Sequence, residues 1–170
     1  MVSGLTDRKQ EKGAVSGSGG KMKLGRKDGE GRPKKIFICS PFRPAGCTRE
    51  ARKKDMEKNI SLAKEACRYA AGKGFIPYAP HLYFPAFLSE ADPDERELGI
   101  LLGLTWLATC DEVWVAGLRI SEGMSREISM AAGCGIPVRS YLPLTDGKER
   151  LFDVEFCTED ELLRKLGGEE

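Results

Sequence analysis

The amino-acid sequence predicts an α/β fold, a doubly wound parallel sheet of four to five strands with helices on both faces. Short apolar runs, typical of strands covered on both sides, alternate along the chain with longer segments of helical periodicity. Most of these runs end at Pro, Ser or Gly, which are residues that favour loops. Because parallel strands are joined by crossover helices, the alternation favours a sheet of the Rossmann or flavodoxin type.

The first half of the folded region contains two strands, a long helix and an aromatic loop. An apolar run at 36–39 predicts the first strand. A helix is predicted at about 50–71, where small and apolar residues recur at steps of three and four before a pair of glycines. The second strand is predicted at 75–79, and a loop rich in aromatic residues follows it at 81–85.

A second helix is predicted to begin at Asp92. This residue is a favourable N-cap, and Pro93 and two acidic residues follow it in the first turn. The helix should end near Thr109. We expect four of its residues to form the buried side, namely Leu98, Leu101, Leu102 and Thr105.

The remaining elements complete the alternation of strands and helices. The apolar run at 112–116 predicts a buried third strand. The later elements are a helix that ends at two glycines, a fourth strand at 137–141, a weaker edge strand at 151–156 and a short helix from Thr158.

The helix after the third strand carries the most informative residue, Glu127. Ser121 is a suitable N-cap, and Gly123 allows a ligand to approach the backbone closely. Met124 and Ile128 share the apolar face, and Glu127 falls at its edge. A carboxylate beyond the carboxyl end of a strand lies where open α/β sheets bind ligands. The alternative is an ordinary solvated glutamate.

Composition and charge narrow the class of protein. The chain of 170 residues is 41% hydrophobic and 31% charged, which is typical of one globular domain with extensions. Its formal net charge of +1 gives no bias toward nucleic acid or membranes. No apolar run reaches the ~20 residues of a membrane helix, and the N-terminus lacks the apolar core of a secretory signal. We therefore expect a cytoplasmic protein that binds neither a membrane nor nucleic acid.

The sequence gives no indication of a metal or a cofactor. The six cysteines are scattered without a C-x-x-C pair, and His81 is the only histidine, so no zinc-ligand spacing is present. The loop after the first strand fits neither a dinucleotide-binding nor a Walker pattern. We expect no cofactor and no metal.

The two ends of the chain differ from its centre. Residues 1–34 are rich in Gly, Ser, Lys and Arg without a periodic apolar pattern, which predicts a disordered basic tail. We expect a single folded domain at 35–166 and a short C-terminal tail at 167–170.

Four sequence patterns within residues 35–141 resemble the nucleoside 2-deoxyribosyltransferase-like superfamily, above all its small bacterial and phage members. They are S-P-x-R, A-P-H-x-Y, W-L-x-x-C-D-E-V-W-V and I-S-x-G-M-x-x-E-I, of which the last is the most specific. The resemblance implies a nucleoside or a nucleoside 5′-monophosphate as ligand. It also implies that Glu127 is the nucleophile that attacks the sugar C1′ and forms a covalent glycosyl intermediate.

The resemblance and the loop chemistry together give the candidate ligand-binding residues. In the superfamily, the loop that begins at Ser40 cradles the sugar or its 5′ end, and the turn at Ser121 lies beside the sugar. The aromatic loop could stack on a base, and His81 could bond a hydroxyl or serve as an acid. Alternatively, the aromatic residues only pack the loop onto the sheet. The full set is Ser40, Pro41, Phe42, Arg43, His81, Tyr83, Ser121, Gly123 and Met124.

One departure from the superfamily leaves two functions open. Its characterised members have an Asp that assists the leaving base, and the matching positions here are Gly103 and Leu104. The candidate acids on the same helix are Asp94, Glu95 and Glu97. With an assisting acid, the protein is a transferase or hydrolase of N-glycosidic bonds. Without one, it is a non-catalytic nucleotide-binding or sensor module that keeps the pocket.

We also expect a homo-oligomer. The run at 82–88 is more apolar than is usual on the surface of a monomer. Members of the superfamily are oligomers in which neighbouring subunits help to close the pocket, so the resemblance implies at least a dimer.

Overall fold

Five strands form one central sheet. The computed structural model describes residues 31–117, 119–143 and 149–154. The strands follow the order β2-β1-β3-β4-β5, in which the first four are parallel and β5 runs antiparallel to β4. The predicted fold class is therefore confirmed. The bounds are β1 (Lys35–Cys39), β2 (Ile76–Tyr78), β3 (Glu112–Ala116), β4 (Val138–Pro143) and β5 (Glu149–Val154).

Helices cover both faces of the sheet and form two core layers with it. They are α1 (Arg49–Gly72), α2 (Pro80–Tyr83), α3 (Pro93–Leu107) and α4 (Glu122–Gly133), with a 3₁₀ turn at Phe84–Ala86. Small residues of α1 such as Ala66 pack on one face around Trp114. On the other face, Met124 and Ile128 of α4 pack around Phe37. The alternation of side chains along each strand supplies both layers.

The strand order creates a crevice at the carboxyl end of β1. The chain runs from β1 to the edge strand β2 and then returns to β3 on the other side of β1. Connections that leave neighbouring strands toward opposite faces diverge, and open α/β sheets bind ligands at such a switch point. Ser40 directly follows β1 and therefore lies at this position.

The predicted aromatic loop at 81–85 is instead a turn of helix. Pro80 occupies the first turn of α2, and the 3₁₀ turn continues directly from it. Proline presets the backbone angle that a first helical turn needs, so Pro80 both ends the preceding strand and starts the helix. The prediction of a loop was wrong because Pro80 was considered only as a strand breaker.

The predicted buried side of α3 was also wrong. Leu98, Leu101 and Leu102 are exposed, and so is Thr105. The helix instead turns Gly103 and Leu107 inward. A Cβ added to Gly103 would lie 3.3 Å from the Pro80 Cβ, so glycine allows α3 and α2 to approach closely on this side.

The ends of the chain fall mostly outside the described residues. Of the tail predicted at 1–34, only 31–34 are described, and there the Lys34 carbonyl accepts a hydrogen bond from the Ile76 N–H at 2.9 Å. The helix predicted from Thr158 and the tail at 167–170 lie outside the described residues. In the described part of the chain, no helix is long and apolar enough to cross a membrane.

A buried ion-pair cluster fixes the amino-terminal edge of the sheet. Glu112 of β3 is 2.8 Å from Lys34 Nζ and 2.8 Å from Arg139 Nε, and the Trp114 indole N–H donates to it at 3.2 Å. Burial alone would raise the pKa of Glu112, but the hydrogen bonds and the two cations outweigh burial and lower it. This carboxylate lies at the edge opposite the crevice, so we assign it a structural role.

We expect Glu112→Gln to lower the free energy of unfolding by about 2 kcal/mol, because it removes the negative charge that Lys34 and Arg139 share. The difference in free energy of unfolding between the two proteins should be largest above the ordinary glutamate pKa. It should shrink as the pH falls below that pKa, since wild-type Glu112 then takes up a proton. Urea unfolding across this pH range measures it. Equal stabilities of both proteins at neutral pH would contradict the structural role.

Candidate active site

A pocket of about 190 Å³ opens at the carboxyl end of β1. Three groups of residues form it: the loop after β1, the α2 and 3₁₀ turns, and the facing sides of α3 and α4. This volume is below the range of about 300–1,000 Å³ that is usual for ligand pockets. The pocket therefore suits a small molecule better than a dinucleotide or a polymer. Its lining comprises Ser40, Phe42, Arg43, Pro80, His81, Phe84, Pro85, Glu90, Arg96, Gly99, Ile100, Gly103, Ser121, Glu122, Gly123, Met124 and Glu127.

Glu127 is held in the pocket wall by the packing of α4. The helix begins at Ser121, whose hydroxyl accepts a hydrogen bond from the Met124 N–H at 3.3 Å. Met124 and Ile128 are buried against the sheet, and this packing fixes the rotation of the helix about its axis. Glu127 lies one turn beyond Met124, at the border between the apolar face and the pocket.

The surroundings of Glu127 favour its neutral form. Burial raises the pKa of Glu127 to about 7, and a hydrogen bond with the Cys39 thiol lowers it only in part. Cys39 is fully buried at the end of β1, and burial together with the charge of Glu127 raises the pKa of its thiol well above the usual value. The thiol therefore stays protonated, and it donates to the Met124 carbonyl with 3.9 Å between Sγ and the oxygen.

Ser40 and His81 form a hydrogen-bonded pair in the same wall. Ser40 Oγ lies 2.7 Å from His81 Nε2, and the ring of Phe42 lies against His81 at 6.0 Å between centroids. Burial lowers the pKa of His81 to about 4, so the imidazole is neutral at physiological pH. An acid role for His81, which would need the imidazolium at neutral pH, is not favoured.

Side chains of α1 hold the loop that follows β1. Asn59 Nδ2 donates to the carbonyl oxygens of Phe42 at 3.1 Å and Arg43 at 3.3 Å, and Asp55 accepts hydrogen bonds from two loop N–H groups. A Cβ at Gly46 would come within 2.6 Å of Ala51 Cβ, so only glycine fits there. These contacts could not be predicted from the sequence, because polar residues on a helix carry no signal of which loop they bind.

Two arginines and a glutamate form the rim of the pocket. Arg43 donates to the Glu90 carbonyl at 3.0 Å, and its Nε lies 3.6 Å from the Glu90 carboxylate. Arg96 Nε lies 3.9 Å from the same carboxylate. These contacts join the loop after β1 to the segment before α3. Glu90, Arg96 and Glu122 were not predicted as site residues, since nothing in their sequence spacing sets them apart.

Several predicted site residues lie elsewhere. Pro41 and Tyr83 are not among the lining residues, and Tyr83 is 56% exposed. None of the three candidate acids lines the pocket. Glu97 forms a two-point ion pair with Arg126, Glu95 accepts a hydrogen bond from the Ser89 N–H, and Asp94 is exposed in the first turn of α3.

Gly103 and Leu104, the positions matched to the assisting Asp, place no carboxylate in the pocket wall. Gly103 lines the pocket, and a side chain there would lie close against Pro80. Within the described residues, no group of three or more His, Cys, Asp and Glu could hold a metal ion.

Residues 34–141 match the family described as Domain of unknown function (DUF7768), and this range holds every lining residue of the pocket. No curated protein matches the chain. One similar solved structure is a 2-deoxyribosyltransferase from Bacillus psychrosaccharolyticus, with 16% identity, a TM-score of 0.49 and coverage of 76% of this chain and 90% of that one. Another is a conserved protein from Enterococcus faecalis V583, with 19% identity, a TM-score of 0.41 and coverage of 64% and 62%.

The burial of Glu127 generates a stability prediction. Its folded-state pKa is raised, so the stability it contributes is full below its unfolded pKa of 4.5 and is lost as the pH rises through about 7. Glu127→Gln does not titrate. It should match the wild type in free energy of unfolding at about pH 4.5 and exceed it by about 3 kcal/mol at about pH 8.

Urea unfolding of both proteins at the two pH values measures this difference. Glu57→Gln, which removes an exposed carboxylate from α1, is the matched control and should change little. A Glu127→Gln variant that is less stable than the wild type at high pH would show that the carboxylate is well stabilised by its surroundings.

Proposed function

Since the chain belongs to the family described as Domain of unknown function (DUF7768) and carries a buried carboxyl group in a small pocket, we propose that it transfers or hydrolyses an N-glycosidic bond. The substrate is a nucleoside or a nucleoside 5′-monophosphate, and Glu127 is the nucleophile. The observation that carries this proposal is the Glu127 carboxyl, buried between β1 and α4 and open to the pocket.

The chemistry of Glu127 suits covalent catalysis. A carboxylate oxygen of Glu127 attacks C1′ of the sugar, the C1′–N bond breaks, and its electron pair leaves with the base. Water or a second base then attacks C1′ and releases the carboxylate. A partly desolvated carboxylate has few water molecules to shed before it attacks. The I-S-x-G-M-x-x-E-I pattern that ends at Ile128 supports the same assignment through its resemblance to the nucleoside 2-deoxyribosyltransferase-like superfamily.

The rest of the pocket fits the two parts of such a substrate. Phe42, Phe84 and Ile100 offer apolar surface on which a flat base can pack. Arg43 and Arg96 at the rim provide cations for a 5′-phosphate, and Ser121 is the N-cap of a helix whose first residues line the pocket. The same features would serve a binding module, so the test must measure chemistry.

Glu127→Ala and Glu127→Gln should each lower base release by about 10³-fold or more, because both remove the nucleophile. The assay uses deoxynucleosides and their 5′-monophosphates, with released base measured by chromatography. Wild-type release should rise with pH through about 7, as Glu127 ionises. Ser129→Ala, on the exposed face of α4, is the matched control.

Equal release by all four proteins would remove Glu127 from the mechanism. Tight binding of a nucleotide by a wild type that releases no base would establish the binding module instead.

We propose that a second copy of the chain covers the exposed face of α3. Six apolar residues on α3 and in the turns before it are between 37% and 58% exposed. Large exposed apolar surface is uncommon on monomers and marks interaction sites. Residues 98–109 carry no charge, which suits self-association. The six are Tyr83, Phe87, Leu98, Leu101, Leu102 and Trp106.

Leu101→Glu should convert the oligomer to a monomer, because it places a charge at the most exposed leucine of this face. Light scattering at high micromolar concentration measures the mass. Lys58→Glu, which changes an exposed charge on α1, should leave the oligomer intact. A monomeric wild type under these conditions would refute the interface.

A further inference from the structure

The second half of the proposed reaction needs a base. When water attacks C1′ of a glycosyl–Glu127 ester, a nearby group must take one of its protons, and Glu127 itself is blocked by the sugar. This inference rests on the proposed function. The described pocket contains few groups that can accept a proton.

Two carboxylates of the lining, and the Cys39 thiol beside Glu127, are unsuited to the task. Glu90 is shared between Arg43 and Arg96 at the rim. Glu122 is exposed in the first turn of α4, on the solvent side of the pocket. The Cys39 thiol stays protonated, because burial and the neighbouring Glu127 raise its pKa.

The Ser40–His81 pair differs from them in position and in charge. Ser40 is 5% exposed and follows Cys39, the residue that hydrogen-bonds with Glu127, directly in the chain. Parallel pairing of β1 with β2 brings the two strand ends together, and this places Ser40 Oγ 2.7 Å from His81 Nε2. Both side chains line the same pocket as Glu127.

The protonation state of His81 allows it to act as a base. Its pKa of about 4 leaves a free lone pair on the imidazole at neutral pH. This basicity equals that of an ordinary aspartate or glutamate, the residue types that activate water in retaining glycosidases. In the tautomer with hydrogen on Nδ1, Nε2 accepts the Ser40 hydroxyl proton.

We propose that Ser40 and His81 form a proton relay that activates the water molecule attacking the glycosyl–Glu127 ester. The water oxygen bonds to C1′ while the bond from C1′ to Glu127 breaks, and its electron pair returns to the carboxylate. The water proton passes to Ser40 Oγ as the Ser40 proton passes to His81 Nε2. The imidazolium then releases its proton to solvent. Glu127 accepts the sugar from the nucleoside, and the relay lets water remove it, so the whole reaction is a hydrolysis.

The test measures formation and breakdown of the glycosyl–Glu127 ester separately. The two variants are His81→Gln and Ser40→Ala. Rapid-quench measurement with a substrate of the wild type should show that the first turnover of base release is retained in His81→Gln. Steady-state release should fall by about 10²-fold or more, and the sugar adduct should accumulate on the protein by mass spectrometry. Ser40→Ala should show the same pattern.

Azide rescue distinguishes a proton relay from a merely structural role. Azide attacks C1′ without giving up a proton, so it should restore the turnover of both variants and produce a glycosyl azide. Ser129→Ala, on the exposed face of α4 and outside the pocket lining, is the matched control. Thermal unfolding checks that each variant is folded.

The relay is refuted if His81→Gln and Ser40→Ala keep full steady-state release. It is also refuted if first-turnover and steady-state release fall equally and azide restores neither. Two other results would overturn the proposed function. One is that Glu127→Gln releases base as fast as the wild type, and the other is that the wild type releases no base from any nucleoside or monophosphate. Either of those outcomes also overturns the relay, since no glycosyl–Glu127 ester then forms.

Discussion

The desolvation of one carboxyl group governs the properties of the pocket. Glu127 lies where the apolar face of α4 meets the end of β1, and burial raises its pKa to about 7. The Cys39 thiol gives it a weak donor in place of the cation that usually accompanies a buried carboxylate. By contrast, Glu112 on the opposite edge of the sheet has two cations and a lowered pKa. The chain therefore supplies cations to the buried carboxylate of Glu112, whereas the pKa of Glu127 is set by burial.

The same physical effect acts on His81. Burial lowers the pKa of His81 and raises the pKa of Glu127, so the interior of the pocket disfavours charge while the rim is charged. Arg43, Glu90 and Arg96 form that charged rim. A ligand with an apolar ring and an anionic end matches this distribution. The nucleoside 5′-monophosphate of the proposed function has both parts.

Much of the fold could be predicted from the sequence because the strands and α4 have strong local signals. The run at 36–39 and the run at 112–116 are buried on both faces, and Met124 and Ile128 define the side of α4 that packs on the sheet. The rotation of α3 could not be predicted, since an apolar stripe at helical spacing looks the same in a core and on an exposed face. The packing of Gly103 against Pro80 decided the orientation.

The candidate site was predictable only in part, because some of its residues lie in segments without a recognisable sequence pattern. Ser40, His81 and Glu127 stand out in short patterns next to strand ends, and the structure brings them into one pocket. Glu90, Arg96 and the loop-binding Asn59 come from segments without such patterns, and only tertiary packing reveals their position. The charge state of His81 also depends on burial, which a sequence does not specify.

The most direct test of the account is to locate a covalent sugar on the protein. The wild type would be mixed with a deoxynucleoside or its 5′-monophosphate, quenched in acid during the first turnover and digested, and the peptides would be fragmented by mass spectrometry. The account predicts a sugar attached to Glu127 and to no other residue of the pocket. A sugar on another side chain, or base release without any adduct in the quenched protein, would contradict it.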